Sequence, residues 1–345
     1  MKRPLLILVA GLLRAQEAPS GFELATTITG AAHYSREIAT GPATAAFRAM
    51  LYPTYKINER WSASAAIQLH STPFFREQFA NPSQQVQTNI LQAQLTYARY
   101  GRKSSLVWRT GQLASAFGAF LLRYDDAANP LPDMPLAYGY YYKSVTSLGL
   151  PGTQIDITAG NFDARAQFAN SSPSNRRTLA QSDQYGSYTA GGGYTIVQGF
   201  RVGASFHRGA YLHRRHRFYF PGEARPRDLP AAGFGLDAQF GHGPWNFYGE
   251  WQYHHRAYRA IPAFTQKTGY AELRRVLNAR WYAAFRMDYE RASAYPGREV
   301  FDAGIGFRPT PHQLVKVAYA FSRALGNTLS LQLVTSLRPI SVARH

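Results

Sequence analysis

Between positions 280 and 290 the side chains take turns. Trp281, Ala283, Phe285, Met287 and Tyr289 fall on one side of an extended chain, and Arg280, Tyr282, Ala284, Arg286, Asp288 and Glu290 fall on the other. Successive side chains of a strand point to opposite faces, so this segment has one apolar and one polar face. The same period returns at Phe301, Ala303, Ile305 and Phe307, and again at Val315, Val317, Tyr319 and Phe321, with residues 309–312 as a short connection between them. It recurs at residues 22–28, 45–51, 61–69, 91–97, 106–110, 155–159, 162–168, 188–194, 200–206, 234–240 and 245–253, weakly around Ala271 and Leu273, and finally at 329–337. In the 91–97 segment Leu91, Ala93, Leu95 and Tyr97 form the apolar face. The total is about sixteen strands, an even number.

A soluble β-sandwich also alternates, with its apolar faces packed into a core. So many apolar faces in one chain point instead to lipid. The connections alternate as well: short turns near Asn58, Gly101, Gly160, Gly199, Gly241, Asn278 and Pro309 are interleaved with longer loops rich in Pro, Ser, Arg and His. Short turns on one rim and long loops on the other are the pattern of an outer-membrane barrel. Aromatic residues crowd the short-turn side, at Tyr55, Trp61, Tyr97, Tyr100, Tyr194, Phe200, Phe240, Trp245, Trp281 and Phe307, as amphipathic rings do at headgroup level. The fold expected is all-β, a transmembrane antiparallel up-and-down β-barrel. A mean hydropathy of −0.31 agrees, because lumen-facing polar residues cancel lipid-facing apolar ones. The 29 glycines and 44 tyrosines and phenylalanines (23 and 21) suit turns and exposed strands better than helices. The chain has no cysteine, which is compatible with an oxidising compartment.

The N-terminus reads as a signal peptide over residues 1–15: Lys2 and Arg3 precede an apolar run at 5–13 that is too short to span a bilayer as a helix. Its removal takes the formal charge from +18 to +15, by loss of Lys2, Arg3 and Arg14. Residues 16–21 then form a short periplasmic segment, 22–337 the barrel and 338–345 a C-terminal tail. Residues 115–151 break the strand rhythm with Phe117, Gly118, Tyr124, Asp125, Asp126, Asn129, Pro130, Pro132, Asp133, Pro135 and the cluster Tyr138, Tyr140, Tyr141, Tyr142. A stretch this long without periodicity is functional where the elements around it are secure. It is expected to fold inward as a constriction loop.

The tract Arg109, Thr110, Gly111, Gln112, leading to Phe117 and Gly118 and then to Tyr124, Asp125, Asp126 and Asn129, resembles bacterial porins, most nearly the porin-like and phosphate-selective-porin-like outer-membrane families. The stretch 152–170, followed by Ser171, Ser172 and Pro173, is similar to the strand, tight turn and strand of those families. The resemblance covers most of the mature chain. It implies a passive water-filled channel, a homotrimer, and a transverse field at the constriction in which Asp125, Asp126 and Asp133, with Tyr124 beside them, face a basic wall. The chain departs from the pattern at its end, running past Leu337 to Arg344 and His345 where such barrels close on an aromatic residue.

Arg48, Arg109, Arg165, Arg201, Arg274, Arg280, Arg286 and Lys316 fall on polar faces and so on the lumen wall. Cations lining a water-filled pore lower the energy of anions, so the expected solutes are small, hydrophilic and anionic. Asp156, Asp163, Asp237, Glu250, Glu272, Asp288 and Asp302 share those faces and offer a self-neutralising network as the alternative. His213 and His216, in a basic loop with Arg214, Arg215 and Arg217, lack further ligands for a metal; such a loop suits anionic lipopolysaccharide. No metal, cofactor or catalytic residue is expected. The apolar outward faces offer no site for a barrel enzyme, the early first strand leaves no room for the plug of an energy-coupled receptor, and the basic balance comes without a nucleic-acid recognition motif. A non-conducting adhesin or anchor would share this wall.

Overall fold

A computed structural model describes residues 21–139, 148–170, 186–212, 217–218, 221–293 and 295–343. The expected signal peptide, Tyr140 to Tyr142, Ser171 to Pro173, the His213 to His216 cluster, Arg344 and His345 lie outside the described residues.

Sixteen strands form one closed sheet: β1 (Gly21–Tyr34), β2 (Ala43–Lys56), β3 (Trp61–Thr72), β4 (Gln85–Tyr100), β5 (Ser104–Leu113), β6 (Leu150–Ala159), β7 (Phe162–Ala169), β8 (Ser187–Val197), β9 (Phe200–Ala210), β10 (Pro230–His242), β11 (Trp245–Arg256), β12 (Phe264–Val276), β13 (Trp281–Ala292), β14 (Arg298–Phe307), β15 (Gln313–Phe321) and β16 (Thr328–Ala343). Each pairs antiparallel with its sequence neighbours, and β1 pairs with β16 to close the barrel. Closure leaves no free sheet edge, so the backbone polar groups of the wall are satisfied without water, as a bilayer requires.

Alternation sorts the two faces. Ile28, Phe206, Leu236, Phe285, Ile305 and Leu331 stand exposed on the outside, while Thr29, Arg48, Asp237, Glu272, Arg286 and Lys316 are buried within. Aromatic rings meet across strands beside the short turns: Trp61 with Tyr97 and Trp108, Phe200 with Phe240, and Trp281 with Phe307. Two of those turns use one device. The Asn58 side-chain oxygen accepts from the N–H groups of Arg60 and Trp61, and Asn278 does the same for Arg280 and Trp281. An Asx turn of this kind imitates a backbone turn locally. Arg280 is thus an exposed turn residue at the rim and does not belong to the lumen wall.

Two expectations fail at bulges. The β3–β4 register shifts between Ala66 and Ile67, which leaves Leu91 as an extra residue. A bulge reverses the face of everything beyond it. Ile90 therefore stands outside and Leu91 points inward, buried with Met50, Ala66 and Leu148. At the other end, residues 338–343 are not a tail. The β1–β16 register shifts between Leu24 and Thr26, so that Thr26 faces Leu337 and Leu24 faces Ile340. The parity of the apolar side changes there from Leu333 and Leu337 to Ile340 and Val342, and the strand continues to Ala343.

Candidate functional site

The segment after β5 enters the lumen and is fastened to the wall at nearly every step. The Gln167 amide on β7 donates to the Ala114 carbonyl (2.7 Å) and accepts from the Ala116 N–H (3.1 Å). Gly118 donates to Ser205 Oγ on β9 (3.2 Å), and its carbonyl accepts from Arg165 (2.7 Å). Its φ of +74° and the lack of room for a Cβ, which would collide with the Tyr138 hydroxyl and the Glu250 carboxylate, require glycine here. Glu250 on β11 accepts from the Ala119 N–H (3.2 Å) and from the Tyr138 hydroxyl (2.6 Å). Burial and the neighbouring Glu250 charge hold the Tyr138 phenol well above its usual pKa, so it stays a donor. Arg123 bonds Glu272 on β12 (2.5 Å) and lies 3.8 Å over the Tyr248 ring.

The chain then crosses to the opposite wall. Asp126 pairs with Arg48 on β2 (3.0 Å) and accepts from Thr29 on β1 (2.8 Å), while Asp125 accepts from Tyr52 (2.5 Å). The Arg48 guanidinium sits 4.4 Å from the centre of the Tyr124 ring. From Asn129 onward the loop is rich in proline, which contributes a carbonyl and no N–H. The wall answers with donors. Lys316 on β15 donates to the Asp126 and Asn129 carbonyls (2.8 and 3.1 Å), Tyr282 to Pro130 (2.9 Å), Gln332 to Pro132 (2.9 Å), and Arg286 to Asp133 and Met134 (3.0 and 3.3 Å). Arg286 also pairs with Asp288 (2.9 Å) and Asp302 (2.7 Å), and lies 3.6 Å from Glu272. Arg76, from the connection between β3 and β4, pairs with Asp302 (2.9 Å) and Asp133 (3.6 Å).

These contacts tie the loop acids to side chains of the wall and of the β3–β4 connection. Asp126 is 2% exposed, whereas Asp125 and Asp133 are half-buried and Asp133 pairs with Arg76. A loop long enough to reach the far wall lets its carboxylates meet cations there directly, so Arg48, Arg286 and Lys316 hold the loop in place. Arg76 and Arg123 escaped the sequence reading because they lie in segments without periodicity. A charged residue in a proline-rich or aromatic stretch was the only signal for them.

A second set of basic residues stands nearer the short turns, on a more open wall. Arg109 pairs with Asp156, and Arg201 with Asp163 (2.7 Å) and Asp237 (2.6 Å). Gly193 leaves the space that the Arg201 guanidinium occupies. Arg165 and Arg274 form no ion pair among the described residues. Arg274 rests against the Tyr282 ring, 5.1 Å from its centre, and the Nε of each arginine makes no hydrogen bond among the described residues.

No known protein-family profile and no curated protein matches the sequence. Solved structures do match the fold. The outer membrane channel DcaP of Acinetobacter baumannii superposes with a TM-score of 0.62 at 12% identity, over 92% of this chain and 98% of that one. An anion-selective porin from Comamonas acidovorans gives 0.61 at 11% identity, over 92% and 100%. The trimer form of OmpT, an outer membrane protein of Vibrio cholerae, gives 0.59 at 9% identity, over 92% and 100%. The chain thus has the porin-like fold of bacterial outer-membrane β-barrels.

Proposed function

We propose that this protein is a passive channel of the bacterial outer membrane, not an enzyme, and that it admits small hydrophilic solutes with a modest preference for anions. The observation that carries the preference is the pair Arg165 and Arg274, lumen-side cations that form no ion pair among the described residues. Asp156, Asp163 and Asp237 on the same wall are each engaged by an arginine. A fixed cation beside water in a low-dielectric tube raises the local anion concentration. The anion-selective porin with the same fold is consistent with this reading.

Two partners follow from it. Lys267 and Arg291 face each other directly across β12 and β13, both exposed on the outer side toward the long loops. Like charges placed opposite each other are destabilising, and the phosphates of lipopolysaccharide would relieve them. A homotrimer is supported by the trimeric neighbour.

The test is the reversal potential of refolded protein in a planar bilayer under a salt gradient. Stepwise openings with an anion-leaning potential are the expected result. Cation preference would remove the role given to Arg165 and Arg274 and leave the channel. A specific observation favours a non-conducting anchor as the second reading: at the height of the loop Arg48, Gln167, Gln252, Glu272, Lys316 and Gln332 are all buried. A barrel that inserts and never conducts would establish that reading instead.

A further inference from the structure

Strand β4 differs from the rest of the wall. Its lumen side carries Gln87, Asn89, Gln92 and Gln94, a run of carboxamides without a charge. The register fixes their direction: Gln87 lies opposite His70, Asn89 opposite Gln68 and Gln94 opposite Ser64. Gln68 accepts from Arg48 and from the Tyr124 hydroxyl of the inward loop, so this is the lumen face.

Most amides elsewhere on the wall are occupied, although Gln239 and Asn246 also make no hydrogen bond to a described residue. Gln167 holds the loop backbone, Gln252 donates to Glu250 (2.7 Å), Gln266 donates to Glu290 (2.5 Å) and Gln332 holds Pro132. On β4 the side chains of Gln87, Asn89 and Gln92 make no hydrogen bond to a described residue, and that of Gln94 makes one long bond of 3.4 Å to Ser64. All four are half-buried, so water or a solute reaches them. Beside Gln94 in the register stands Gly111, at a φ of +128° where a side chain would run into the Ala93 carbonyl, and it leaves that flank of the strand clear.

We propose that β4 is an amide track that binds hydroxyl-rich, carbohydrate-like solutes inside the barrel. This rests on the channel reading above and names a solute class for it. A primary amide offers two N–H donors and a carbonyl acceptor. A hydroxyl group both donates and accepts, so a polyol can exchange its bonds to water for bonds to the track at each rung with little loss. A simple anion uses only the donors of such a track and a simple cation only its acceptors. Strand side chains on one face recur every second residue, about 6.8 Å apart. Repeated hydroxyl groups along an oligosaccharide match a repeating row of amides better than a single-point ligand does. The bulge at Leu91 divides the row into Gln87 with Asn89 and Gln92 with Gln94.

The test uses raffinose as probe and a polyethylene glycol of similar mass, which carries ether acceptors and almost no donors, as control. Single-channel current in potassium chloride is recorded while each is added, and raffinose binding to the detergent-refolded barrel is measured by calorimetry. Raffinose is expected to block the current and to bind. The quadruple substitution Gln87→Ala, Asn89→Ala, Gln92→Ala, Gln94→Ala should weaken both by about tenfold or more, since every hydrogen bond to the track is lost. The volume-conserving pair Gln92→Met and Gln94→Met should weaken them in part, and retained heat-modifiable gel mobility establishes that each variant is folded. Equal block by the glycol, or raffinose affinity unchanged in the folded variants, overturns the track. A barrel that binds raffinose through these amides without conducting keeps the track and ends the channel reading; one that conducts without such binding does the reverse.

Discussion

The loop-filled part of the lumen and the open wall near the short turns are made from the same residue types and do opposite things. Around Arg286 and Asp126 the charges are buried and answered by partners on three sides. Around Arg165 and Arg274 they are half-buried and in part unanswered. In the first region an arginine is a fastener, and in the second it is the field source of the proposed anion preference. The difference lies in what faces each group across the lumen, and the inward loop decides that.

Arg286 separates the two regions most sharply. Arg286→Met removes the arginine partner of Asp288, one of the two arginine partners of Asp302, and the donor to two loop carbonyls. Leaving buried carboxylates uncompensated costs about 3–5 kcal/mol. A fall of that size in unfolding free energy is expected from urea denaturation of the refolded barrel, together with noisier and larger single-channel currents as the loop loosens. A change under about 1 kcal/mol would mean the loop does not depend on this hub.

Leu91 is the next test. Leu91→Ala should cost about 2–4 kcal/mol, because it opens a cavity against Met50 and Ala66, whereas Ile90→Ala on the lipid side should cost about 1 kcal/mol. The reverse order in denaturation experiments would place the bulge elsewhere.

Effects on the open wall should spare stability. Arg274→Gln is expected to change unfolding free energy by less than about 1 kcal/mol. Together with Arg165→Gln it should lower the anion-to-cation permeability ratio about two- to fivefold, given roughly 1 kcal/mol for a charge at close range in water. A ratio that does not move would strip these arginines of their role. The smallest effect is that of salt. Raising ionic strength from about 0.1 to 1 M shortens the screening length from about 10 to 3 Å, so the selectivity of the intact channel should fade while loop-dependent stability holds. Selectivity that persists at high salt would mean the fixed charges are buried, which would erase the contrast between the two regions.

The wall itself was legible because its cause is local. A strand exposes alternate side chains whatever surrounds it, so period two in segments such as 281–289 marked each strand and its two faces, and the short breaks near Asn58 and Asn278 marked turns. The inward course of residues 115–139 followed from their lack of any such period. Alternation is read correctly only while the register is unbroken. At Leu91 and after Leu337 one bulge each reversed the parity, and nothing local distinguishes a bulge from the end of a strand.

The role of each charge was not written locally at all. Arg48 and Arg165 look alike in sequence, each an arginine between apolar neighbours on the polar face of a strand. One meets Asp126, 78 residues away along the chain, and the other meets the Gly118 carbonyl and forms no ion pair among the described residues. Which side chains an inward loop reaches depends on its path across a closed barrel, and that path is set by long-range pairing between groups that share no neighbourhood in the chain.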